Sequence, residues 1–253
     1  MIVFITGASS GIGAALARHY AQAGATLGLA ARRQRQLLEL AAELPGSHAC
    51  YALDVADAAA LQAAAADFIA RHGCPDIVIA NAGVSVGTLA DAAGDLPALR
   101  RVFEVNVIGM AQTLQPFAAA MKARGSGRLV GVASVAGIRG LPGAGAYSAS
   151  KAATIAYLEA LRGELRGSGV KVVTIAPGYI ATPMTAGNPY RMPFLLPADV
   201  AARRFARAIE RGSSYTVIPW QMGVVAKLLR LLPNPLFDAL FARAGRKPRG
   251  LDL

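Results

Sequence analysis

The chain has 253 residues and carries 26 Lys and Arg against 15 Asp and Glu, a formal charge of +11, with 54% hydrophobic but only 6% aromatic residues. This excludes a disordered protein and requires a core of Ala, Val, Leu and Ile, the composition of a parallel sheet covered by helices, and the length suits one α/β domain. The basic excess is concentrated in residues 203–253, and with no helix-turn-helix, zinc or RNA-recognition motif the charge does not read as a nucleic-acid footprint.

Met1 to Ile5 have no basic n-region and run directly into a glycine loop, so they read as a first strand, not as a secretory leader. Short apolar runs then alternate with helical periodicity: strands at 2–5, 26–30, 49–53 and 77–80, helices at 11–23, 34–44 and 58–71. A second half follows with a helical pattern at 99–123, a strand at 128–133, a helix at 147–166 and a strand at 170–176. Strand–helix alternation predicts a doubly wound parallel sheet of the Rossmann type, with helices on both faces and ligands at the carboxyl ends of the strands. Residues 1–218 are read as the catalytic domain and 219–253 as a C-terminal amphipathic extension.

In that extension Val224, Val225, Leu228, Leu229, Leu231 and Leu232 form an apolar face interrupted by Lys227 and Arg230 and ended by Pro233. Leu236, Phe237, Leu240 and Phe241 follow, and then a basic run from Arg243 to Arg249. A subunit interface, an internal lid, simple packing and peripheral contact with an anionic membrane all fit this pattern. No stretch has the roughly 18 uninterrupted apolar residues of a spanning helix, so the chain is expected in the cytoplasm, or at most against the inner face of a membrane. Cys50 and Cys74 lie outside any redox or metal spacing, and His19, His48 and His72 form no cluster, so no metal is expected.

After the first strand, Thr6-Gly7-Ala8-Ser9-Ser10-Gly11-Ile12-Gly13 opens a helix whose free N–H groups and dipole suit a pyrophosphate. This segment resembles the cofactor loop of the short-chain dehydrogenase/reductase family. Asn81-Ala82-Gly83, Asn106, Ser134, Tyr147, Lys151, Pro177, Gly178 and Thr182 resemble further family motifs in the same order. The resemblance implies a nicotinamide dinucleotide held by Gly7, Ser9, Ser10, Gly11, Ile12, Gly13, Asn81, Ala82, Gly83, Pro177, Gly178, Ile180 and Thr182, with Asp54 and Val55 beside the adenine. Tyr147 is implied as proton donor, Ser134 as polariser of the substrate oxygen, and Asn106 as the holder of a relay water. Lys151 is implied to hydrogen-bond the nicotinamide ribose, and a homodimer or homotetramer is implied as the assembly.

Two features add to the resemblance from the residues themselves. At the end of the second strand, where a carboxylate would select NAD(H), stand Arg32 and Arg33, whose forked guanidinium groups suit a 2′-phosphate and predict NADP(H). Tyr147 and Lys151, four residues apart on a helix, share one face, and the ammonium is expected to favour the phenolate. The segment 183–197 is apolar and broken by prolines, and is expected to be a lid over a hydrophobic carbonyl or alcohol, with Met184, Met192 and Phe194 facing the substrate. Val135, Leu141 and Tyr179 complete the expected substrate residues. The rival class is a non-catalytic dinucleotide-binding sensor or regulator, which could dispense with the acid–base pair.

Overall fold

A computed structural model describes residues 1–242 and 245–250; Arg243 of the basic run and Asp252 lie outside the described residues. Seven parallel strands form the central sheet in the order β3-β2-β1-β4-β5-β6-β9. They are β1 (Ile2–Thr6), β2 (Thr26–Ala31), β3 (Ala49–Ala52), β4 (Ile77–Ala80), β5 (Gly127–Val132), β6 (Val170–Pro177) and β9 (Tyr215–Ile218). The chain winds outward from β1 to β3, then returns to the other side of β1 at β4, so the strand order reverses there and leaves a crevice at the carboxyl edge.

Alternation along each strand feeds two apolar layers. Val3 and Ile5 of β1, with Leu27 and Leu29 of β2, pack against α1 (Gly11–Gln22), α2 (Gln34–Glu43) and α8 (Ala198–Arg211). Phe4, between them, faces the opposite layer with α3 (Ala58–His72), α5 (Gly109–Arg124) and α6 (Gly145–Glu164). There Phe4 and Phe68 meet edge-on at 5.3 Å between ring centroids, and both are fully buried. Truncating either ring would cost roughly 3–5 kcal/mol.

The structure differs from the sequence reading in three places. The helix expected over 99–123 is two helices, α4 (Leu96–Phe103) and α5, joined by a π turn at Glu104–Ile108. Asn106 sits in that turn, its side-chain oxygen accepting from Val84 N–H at 2.8 Å and its amide donating to the Val84 carbonyl at 3.0 Å, so a side-chain clamp accompanies the widened turn. Between the sixth strand and Trp220, where no strand or regular helix was assigned, lie α8 and the seventh strand, β9. The buried face of α8 (Ala201, Ala202, Phe205, Ala206, Ala208 and Ile209) stands opposite exposed Arg203, Arg204, Arg207 and Arg211, an amphipathic pattern present in the sequence itself. The segment expected to be a lid begins as the single turn α7 (Pro183–Ala186) and closes on β8 (Leu196–Pro197), which pairs in parallel with β7 (Ile180–Ala181).

The extension folds as α9 (Trp220–Leu231) and α10 (Asn234–Phe241), separated at Pro233. Arg139 ties the two together: it donates to the carbonyls of Leu229 and Leu232 at the end of α9 and to Asn234 Oδ1, and its guanidinium lies 3.9 Å from the Phe237 ring centroid. Met222, Ala226 and Phe237 are buried, whereas Trp220, Val224, Leu228, Leu231, Leu236 and Leu240 stand exposed. Among the described residues no helix is long and apolar enough to cross a membrane.

Candidate active site

The glycine loop is built by close approach. Gly7 adopts φ 66° and Gly11 φ 56°, and a Cβ on Gly13 would stand 2.2 Å from the Gly7 carbonyl oxygen, so only hydrogen fits beneath the loop. Asn81 fixes the loop to β4: its side-chain amide donates to the carbonyls of Thr6 at 3.0 Å and Gly7 at 3.3 Å, and its own N–H donates to Thr6 Oγ1. Asn81 thus spends its amide on the cradle itself.

A cleft opens at this edge of the sheet, lined by Gly7, Ser9, Ser10, Gly11, Ile12, Arg32, Arg33, Asp54, Val55, Asn81, Ala82 and Gly83 on one side. Ser134, Tyr147, Lys151, Pro177, Gly178, Ile180, Thr182 and Met184 line the other. Gly13 and Asn106 do not line it; Gly13 supports the loop from below, and Asn106 is buried, its side-chain amide also donating to Ser150 Oγ at 3.0 Å. Of the six residues expected to face substrate, only Met184 lines this cleft. Phe194 is about half exposed, Leu141 N–H is engaged by Ser148 Oγ, and Tyr179 turns towards Tyr190, with ring centroids 6.3 Å apart.

Arg33 reaches back over the loop and donates to Ser10 Oγ at 2.7 Å and Ser9 Oγ at 3.1 Å. Asp54 faces the same rim. Burial would raise its carboxyl, but the Ala56 N–H and the guanidinium groups of Arg101 and Arg32 outweigh this and hold it below the usual carboxylate range. Arg101, which the sequence reading did not single out, neutralises the one carboxylate at this end of the cleft.

The Tyr147 hydroxyl lies within reach of Ser134. Burial raises the phenol above its ordinary value and the Ser134 hydroxyl works in the opposite direction, so the expected net lowering is not what the protein's own groups produce. Lys151 explains the difference. Its ammonium lies 5.9 Å from the Tyr147 ring centroid and donates to the Val132 carbonyl at 2.8 Å, and burial pushes it down to about 8. An ammonium has three donors, and the hydrogen bonds among the described residues use one, leaving two for a hydroxyl in the cleft.

A loop that Gly7, Gly11 and Gly13 keep open at a helix N-terminus, two arginines at the rim and a buried lysine with spare donors fit the pyrophosphate, adenosine and ribose parts of a dinucleotide. Fold and cleft together define a dinucleotide-binding α/β protein with a tyrosine, a serine and a lysine at the cofactor site.

Residues 1–191 match the short chain dehydrogenase family, and the chain belongs to it. It is 41% identical over 244 residues to an uncharacterized oxidoreductase of Myxococcus xanthus, covering 94% of this chain and 95% of that one. An uncharacterized oxidoreductase of Mycobacterium tuberculosis is 35% identical over 241 residues, with 92% and 94% covered. Among solved structures, a short-chain dehydrogenase from Streptomyces avermitilis superposes with a TM-score of 0.78 at 27% identity, covering 95% of this chain and 94% of that one. A 3-ketoacyl-ACP reductase from Sinorhizobium meliloti superposes equally well, at 0.78 and 28% identity, covering 89% and 100%. The chain is therefore an oxidoreductase of a family that acts on CH–OH and C=O groups with a nicotinamide dinucleotide.

Proposed function

We propose that the protein is an NADP(H)-dependent carbonyl reductase or alcohol dehydrogenase that uses Tyr147 as its general acid and base. The observation that carries the cofactor preference is the pairing of Arg33 with Ser9 and Ser10 at the end of β2, where two guanidinium groups stand and the nearby carboxylate of Asp54 is neutralised by Arg101. A 2′-phosphate placed there gains charge-assisted hydrogen bonds, each worth about 1.5–3 kcal/mol.

When bound, the nicotinamide supplies hydride to the carbonyl carbon or takes it from the alcohol. Tyr147 gives its phenolic proton to the carbonyl oxygen as the C–H bond forms, and in oxidation takes the hydroxyl proton. Ser134 donates a hydrogen bond to the same oxygen and steadies its developing negative charge. Lys151, held by Val132, offers its remaining donors to the ribose and so fixes the distance between cofactor and phenol before reaction. Asn106 acts as a positioning residue by clamping Val84 in the loop that borders Gly83.

The exposed Met184 of α7, with Phe194 and Leu195 on the segment between α7 and β8, favours an apolar substrate body. Likeness to a 3-ketoacyl-ACP reductase is consistent with a carbonyl on such a body. Steady-state kcat/KM for NADPH and for NADH, measured with a panel of ketones and aldehydes, tests this reading; a preference for NADH would overturn the cofactor assignment.

A further inference from the structure

The last described residues come back to the active site. After α10 the chain runs as a strap across the loop following β4: Gly87 N–H donates to the Pro248 carbonyl at 2.8 Å, and Gly87 and Arg249 form a parallel bridge. The approach is so close that a Cβ on Gly87 would stand 2.2 Å from the Lys247 carbonyl oxygen. Arg249 anchors the strap by a two-pronged ion pair to Asp95, with contacts at 3.0 Å to each carboxylate oxygen, and Arg246 packs on Gly143 of the loop before α6. That loop is itself joined to the first, since Thr88 N–H donates to the Gly143 carbonyl at 3.1 Å.

This arrangement places a second cation besides Lys151 near the Tyr147 ring, on a residue that is not among those lining the cofactor cleft. Lys247 Nζ lies 5.6 Å from the Tyr147 ring centroid and donates to Ser85 Oγ at 2.6 Å. No carboxylate among the described residues pairs with it. Among the described residues, Arg249 of the strap pairs with Asp95, and Lys247 meets the Ser85 hydroxyl. Lys247 is half-buried, and burial pushes its ammonium down to about 8, the behaviour of a charge whose lost hydration has not been replaced. Ser85 and Lys247 together offer donors suited to an oxyanion.

We propose that Lys247 is a specificity-determining residue that selects substrates bearing a carboxylate or phosphate a few bonds from the reacting carbonyl or hydroxyl. The proposal deepens the redox reading given above and rests on it. An apolar body against the segment between α7 and β8 and an anionic group against Lys247 make the preferred substrate amphiphilic. A cation reaching the site from residue 247 also ties substrate recognition to the C-terminal strap, because the Arg249–Asp95 pair decides where the ammonium stands.

Matched probes test this with the full chain and NADPH at pH 7: 2-oxopentanoate and 4-oxopentanoate against their methyl esters, and dihydroxyacetone phosphate against dihydroxyacetone. The readout is the ratio of kcat/KM for the anion over its neutral partner. Wild type is expected to favour the anion at least tenfold in one of these pairs, the pair identifying carboxylate or phosphate. Lys247→Gln should lower that ratio at least tenfold, and Lys247→Arg should restore most of it. A ratio near one in wild type, or one unchanged in Lys247→Gln, overturns the proposal. Calorimetric binding of the same probes to NADP⁺-loaded Tyr147→Phe protein gives a readout independent of turnover, and no anion preference there also overturns it. If instead Tyr147→Phe turns over at the wild-type rate, the redox reading fails while the binding ratio still judges Lys247.

Discussion

Lys151 Nζ stands 5.9 Å from the Tyr147 ring centroid, on the same helix one turn away, yet its hydrogen bond goes to the carbonyl of Val132 on β5. The ammonium is thus held by the sheet and faces the cleft. For Tyr147→Phe we expect kcat to fall by roughly 10²–10⁴, the worth of a positioned general acid. NADPH binding, followed by nicotinamide fluorescence, should remain within a few-fold of wild type.

Lys151 carries a cost in stability. Its folded value of about 8 lies below the 10.5 of a solvated lysine, so the unfolded chain binds more protons between those limits and stability rises with pH from about 8 to about 10.5. Below about 8 the full penalty is present. Lys151→Met should therefore abolish activity while raising stability at pH 7 by about 1–2 kcal/mol, after allowing about 1 kcal/mol for the lost carbonyl bond. Denaturant midpoints at pH 7 and pH 10 check both the sign and its expected shrinkage at the higher pH.

Arg33 donates to both loop serines, so its removal acts on the cofactor that the loop receives. Arg33→Ala is expected to reduce kcat/KM for NADPH about 10- to 100-fold and to change that for NADH by less than threefold, the loss of one charge-assisted contact. Equal losses for the two cofactors would show that the side chain only shapes the loop.

The anion preference assigned to Lys247 should depend on pH. Its ammonium is charged below about 8 and loses its proton above, so the anion-to-ester ratio should be constant to about pH 7.5 and fall by up to tenfold per unit beyond 8. Tyr147 and Lys151 titrate for both probes and cancel in the ratio. Anion bound to Lys247 would move the fall upward, so the ratio taken at saturating probe should break at a higher pH than the ratio of kcat/KM.

Asp95 and Arg249 are 154 residues apart in sequence and set the strap over the loop after β4. Asp95→Asn removes the charge that holds Arg249 and should raise the KM of the anionic probe three- to tenfold with kcat within twofold. Hydrogen exchange at residues 245–250 should quicken in the same variant, while exchange in β1 and β4 stays unchanged.

The sequence by itself determined the strand–helix alternation, the glycine loop and the shared helical face of Tyr147 and Lys151, because each signal is local, while Ser134 was legible only through its likeness to a family motif. The same locality limited it. Asp54 reads alone as a strand-end carboxylate, and only the tertiary structure brings Arg101 of α4 against it. β9 is a short edge strand, and only the sheet decides its place beside β6, some 40 residues earlier by register. Lys247 reads as one residue in a basic run, and only the return of the strap past Gly87 sets it beside Tyr147. Which groups become neighbours across long loops is fixed by how the layers pack, and packing is a property of the whole chain, not of any window within it.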